Sequence, residues 1–137
     1  MKKLIIVSGS TRLLKEPAEP IPAIQRFDGV FVRLVRKYYK KPRDFDVLIL
    51  SPIYGLIKAE EEISFREPIH GSWRQLSLSE NDISKLRNSS LSTLQKLITK
   101  RQYEEIYVNV GKSMLKIIGG FEKIVPPTIK ITYSHAP

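Results

Sequence analysis

A few short, unbroken apolar runs, set between stretches of helical periodicity, constrain this chain more than any other feature. Leu4-Ile5-Ile6-Val7 and Val47-Leu48-Ile49-Leu50 are each four consecutive branched aliphatic residues. A strand with one wet face alternates apolar and polar residues, so such a run suits a strand covered on both faces, as in a parallel sheet. Ile106 to Val110 in "EEIYVNVG" reads as a third strand. Ile129 and Ile131, alternating with Lys130 and Thr132, read as a half-exposed edge strand.

Helical patterns fall between these runs. Phe27, Val30, Phe31, Leu34, Val35 and Tyr38 recur at helical spacing and predict one amphipathic helix ended by Pro42, with Arg33, Lys37 and Lys40 on its other side. Ser79-Glu80-Asn81-Asp82 has capping-box spacing, with Asp82 in the acidic place. It opens a long helix marked by Ile83, Leu86, Leu94, Leu97 and Ile98, with Leu91 near the same face. Gly111-Lys112-Ser113 opens a short helix through Met114, Leu115, Ile117 and Ile118, which Gly119-Gly120 stops. "SPIYGLIKAEEEI" (51–63) reads as a strand end, a tight turn and an acidic run. Residues 58–77, holding Pro68, Gly71 and Trp73, read as a long connection. Alternating strand and helix predicts an α/β fold, a three-layer sandwich with a mostly parallel sheet of about four strands. At 137 residues this is expected to be one domain, 1–137, large enough to hold a core without staples.

Composition excludes several chemistries. Without cysteine there is no disulfide, thiolate metal site or thiol nucleophile, and two histidines are too few for a histidine-rich centre. No metal and no cofactor are therefore expected. No apolar run reaches the length of a signal-peptide core or a membrane span, so the expectation is a soluble, cytoplasmic protein without a membrane partner. The net charge of +9 is uneven. Arg26, Arg33, Arg36, Lys37, Lys40, Lys41 and Arg43 face only Asp28 across residues 26–43, seven minus one, or +6. Such focusing favours an anionic partner. Lysine and arginine also serve simply to keep a helix solvated.

In open parallel sheets, ligands collect beyond the carboxyl ends of the strands. Three such ends carry small and hydroxyl residues: Ser8-Gly9-Ser10, Ser51 with Tyr54 and Gly55, and Gly111-Lys112. Their amides and hydroxyls suit phosphate or carboxylate. Glycine and serine also make ordinary turns. Gly111-Lys112-Ser113 is no phosphate-binding P-loop, because the glycine required five positions earlier is Ile106. Glu67 and His70, in the long connection, are candidate acid or base groups.

Two stretches carry a resemblance. "LILSPIYGLIKAEEEI" resembles the "LSAKYGLL-x-PDEVI" stretch of a family of microbial domains of unknown function similar to the peroxide stress protein. Ser51, Tyr54, Gly55, Leu56 and Ile63 match in spacing. The stretch from "EPIHGSWRQ" to "YEEIYVNVG" is similar to the central domain of archaeosine synthase and related tRNA-guanine transglycosylase-like proteins, through Gly71, Trp73, Tyr103 and Val110. The resemblance implies an α/β domain linked to tRNA base modification, or to nucleotide chemistry more widely. That family's cysteine-bearing signature is absent, so the lysine-transferring activity does not carry over. Together these readings lead to a nucleotide- or RNA-binding domain, with tRNA as one RNA partner. Ser8, Gly9, Ser10, Ser51, Tyr54, Gly55, Gly111 and Lys112 would form its pocket. Arg26, Arg33, Arg36, Lys37, Lys40 and Lys41 would hold phosphates. The alternatives are a non-catalytic protein-interaction module and a nucleoside-processing hydrolase or glycosidase.

Overall fold

The computed structural model describes residues 2–9, 13–38, 45–65 and 79–133. Ser10, Lys40, Lys41, Glu67 and His70 lie outside the described residues. The strands are β1 (Lys2–Ser8), β2 (Ile21–Pro22), β3 (Phe45–Ser51), β4 (Gly55–Lys58), β5 (Glu62–Ile63), β6 (Tyr103–Asn109) and β7 (Lys130–Tyr133). The helices are α1 (Ala23–Arg26), α2 (Val30–Tyr38), α3 (Glu80–Lys100) and α4 (Lys112–Leu115).

Five strands form the main sheet in the order β4-β3-β1-β6-β7, and β2 pairs with β5 in a separate two-stranded ladder. The pairs β1–β3, β1–β6 and β6–β7 are parallel, and the β3–β4 pair is antiparallel. The molecule is thus a mixed α/β fold around a mostly parallel sheet, as the alternation of runs predicts. The four parallel strands are the four apolar segments of the sequence. The fifth, β4, falls where the sequence suggested only a turn and an acidic run.

Strand alternation sorts the apolar residues onto two faces. Leu4, Ile6, Leu48, Leu50, Ile106 and Val108 join Leu94 and Leu97 of α3, with Met114, Ile117 and Ile118, in one cluster. Val7, Val47 and Ile49 turn the other way and join Ala23, Ile24, Phe27 and Val32. Continuous apolar runs are needed because both faces of β1 and β3 are covered.

The long helix forms as its cap predicts. The Ser79 hydroxyl accepts from Asp82 N–H and the Asp82 carboxylate accepts from Ser79 N–H. Arg87 on α3 donates through Nε and Nη2 to the Lys116 carbonyl, at 3.0 and 2.7 Å, tying the 3-10 turn after α4 to the helix. On β7, Tyr133 meets the Phe121 ring edge-on, with centroids 6.3 Å apart.

The predicted helix over Phe27–Tyr38 is corrected in two respects. It starts only at Val30, as α2, and Phe27, fully buried, lies before it, after the separate turn α1, and pairs with Leu13 in an isolated bridge. The predicted apolar stripe is also buried only in part: Phe27 and Val35 pack on the core, but two of its members do not. Val32 is fully buried, whereas Val30 is 74% exposed and Leu34 55% exposed. A nine-residue helix with apolar residues on two sides cannot bury both, and the sheet selects one.

Candidate ligand site at the carboxyl edge of the sheet

β1 stands between β3 and β6, so the chain leaves β1 toward one side and later returns to its other side. The strand order therefore reverses between β1 and β6, and loops diverging from such a point leave a crevice at the carboxyl edge. Ser8 ends β1 and Gly111 follows β6. The Gly111 N–H donates to the Ser8 hydroxyl at 3.3 Å, across 103 positions of sequence. The end of β3 lies alongside, with Gly9 N–H donating to the Leu50 carbonyl at 2.7 Å. The three strand ends thus share one rim.

Their side chains are used differently. Ser51 is fully buried, and its hydroxyl accepts from Ile53 N–H at 3.0 Å and Tyr54 N–H at 3.1 Å, closing the turn into β4. The Tyr54 hydroxyl donates to the Ser64 carbonyl at 3.0 Å. Gly55 has φ +75°, a left-handed conformation, and a Cβ there would stand 2.9 Å from Ser90 Oγ. That hydroxyl accepts from Leu56 N–H at 3.0 Å. A Cβ on Gly9 would stand 2.7 Å from Ile49 and 2.9 Å from Phe27. Ser51, Tyr54 and Gly55, expected to line a ligand pocket, thus build the turn into β4, and Gly9 allows close packing at the end of β1.

Gly111 is different. Its φ of −62° and ψ of 150° are open to any residue, and a Cβ there would meet nothing within 4 Å. Neither conformation nor packing asks for glycine. Lys112 follows it, exposed, at the first position of α4.

The basic residues also divide. Arg26 is fully buried and donates to four backbone carbonyls: Ile63 at 3.2 Å, Leu14 and Pro17 at 2.9 Å, and Glu19 at 2.7 Å. It gathers the proline-rich loop and β5 around α1. Arg36 donates to the Ile24 and Phe27 carbonyls. Both, expected to hold phosphates, direct these donors at neighbouring carbonyls, since a guanidinium presents several donors in a plane. Arg33 remains outside, 3.2 Å from Asp28, and Lys37 is exposed.

Sequence reasoning missed two groups. Ser90 sits four residues after Leu86 and four before Leu94, in the apolar stripe of α3, and a lone hydroxyl in such a stripe is a signal of a buried acceptor. At the opposite edge of the sheet, Asp46 accepts from the Tyr103 hydroxyl at 2.6 Å and lies 3.3 Å from Arg101 and 3.6 Å from Lys2. Burial pushes the Tyr103 phenol above its ordinary value of 10.0, and the bond to Asp46 pushes the same way. A hollow of about 610 Å³ runs along α3 beside Ser92, Gln95, Lys96, Thr99 and Lys100, toward that edge and away from Ser8. Among the described residues, no group of His, Asp and Glu is placed to hold a metal ion, and no helix is long and apolar enough to cross a membrane. Comparison with protein-family models, curated proteins and solved structures finds no match to this chain.

Proposed function

We propose that the chain is a cytoplasmic nucleotide-binding domain that takes its ligand at the carboxyl edge of the sheet, between the ends of β1 and β6. One observation carries this reading: Ser8 and Gly111 meet where the strand order reverses. The ligand's phosphate would lie over the Gly111–Lys112 backbone, where the missing Cβ leaves room. Ser8 already accepts from Gly111, so its own O–H is the donor a phosphate oxygen would take. The Lys112 ammonium would supply the charge. An apolar cluster on each side of the sheet supports a three-layer sandwich, the setting in which such edge sites recur.

The resemblance to tRNA-modifying proteins supports extending the ligand to a nucleotide exposed in RNA, tRNA included. In that case phosphate contacts would contribute most of the affinity and make it salt-dependent. Calorimetric titration of nucleoside mono- and triphosphates, and of a tRNA transcript, at several salt concentrations tests both parts. Nucleotide affinity should fall on Gly111→Ala and Lys112→Ala, and tRNA affinity should fall with rising salt. Absence of nucleotide binding at low salt, or binding indifferent to both substitutions, would overturn the site.

A further inference from the structure

The outer face of α2 is not explained by a phosphate ligand. Val30, Arg33, Leu34 and Lys37 follow one another at i, i+3, i+4 and i+7, so they share one side of the helix. Val30 is 74% and Leu34 55% exposed, while the opposite side is anchored by buried Val32 and by Arg36. Two aliphatic side chains one turn apart are thus held in water between two cations. A phosphate backbone would engage the cations and leave both aliphatics wet. A bilayer would gain little: together the two side chains are about half of one myristoyl chain, itself only a marginal anchor.

We infer that this face docks an acidic amphipathic helix of a partner protein. Leu34 and Val30 would enter its apolar stripe, in the spacing by which helices pair through grooves. Carboxylates bordering that stripe would meet Lys37 and, in competition with Asp28, Arg33. The chain's net charge of +9 favours encounter with such a partner. The surface is built from residues of α2 and the strand-end site from Ser8, Gly111 and Lys112, so the two share no residue, and the occupant here need not be a nucleotide protein.

The test uses the full chain and a fluorescein-labelled synthetic helix with leucines at i, i+3, i+4 and i+7 bordered by glutamates. Anisotropy measures binding, and amide shift mapping locates it. The peptide should bind with shifts centred on residues 30–37. Val30→Asp and Leu34→Asp should each weaken binding by about tenfold or more. Lys37→Glu should weaken it and flatten its salt dependence, and all three should leave thermal stability unchanged. Nucleotide binding should be untouched by these variants, so failure here and failure at Gly111 are separable. No peptide binding overturns the inference, as do shifts elsewhere, or binding through residues 30–37 of anionic vesicles or a short RNA in its place.

Discussion

The Ser8 hydroxyl accepts a hydrogen bond from the Gly111 amide, joining the end of the first strand to the end of a strand that begins near residue 103. Parallel pairing of β1 and β6 brings the two strand ends together at the point where the strand order reverses. The two glycines at this rim separate packing from ligand approach. Gly9→Ala, which forces Cβ against Ile49 and Phe27, should lower stability by about 1–3 kcal/mol. Gly111→Ala should stay within about 0.5 kcal/mol of the parent and yet lose nucleotide affinity. Urea denaturation beside calorimetry measures both, and equal stability losses at the two positions would contradict the assignment.

The turn into β4 depends on a close pair. Gly55→Ala places a side chain at φ +75° and 2.9 Å from Ser90 Oγ, so a loss of about 1–2 kcal/mol is expected. Ser90→Ala leaves the buried Leu56 amide without its acceptor, at a cost of about 1–3 kcal/mol. Since both act at one contact, the double variant should fall short of the sum of the two. Strict additivity in chemical denaturation would show that they act independently.

Arg26 should behave unlike Arg33, the exposed arginine of its stretch. Arg26→Met keeps bulk but removes every bond to the Leu14, Pro17, Glu19 and Ile63 carbonyls, and is expected to cost about 3 kcal/mol or more. Arg26→Lys should recover only part, because an ammonium lacks the planar fork. Arg33→Ala, at an exposed ion pair, should change stability by less than about 1 kcal/mol. Similar melting curves for Arg26→Met and Arg33→Ala would show that the buried guanidinium organises nothing.

Tyr103 predicts a loss of stability in alkali. Its folded-state pKa is raised above 10.0, so the folded chain keeps a proton that the unfolded chain releases. The contribution is complete below pH 10 and declines as pH rises beyond it. Tyr103→Phe should cost about 1 kcal/mol near neutrality through loss of the bond to Asp46, and should flatten the decline above pH 10. Denaturation midpoints across that range check it. An unchanged alkaline slope would remove Tyr103 as its source.

The parallel core was legible from local pattern. Val47–Leu50 and Leu4–Val7 are apolar at every position because both sides of those strands are covered, and that demand is written locally. The cap at Ser79 and Asp82 was equally legible, since its partners are three residues apart. Tertiary structure alone decided which side of α2 faces the sheet, because Val30 and Val32 are equally apolar and only a neighbour's shape distinguishes them. It also turned Arg26 inward, since three carbonyls of the preceding loop and one from distant β5 satisfy a charge that composition assigns to the surface. β4 escaped notice for the same reason: its pairing rests on Ser51 closing a turn and on Ser90, 34 positions away, receiving the Leu56 amide. Local patterns specify what a segment needs, but contacts between segments decide which neighbour supplies it.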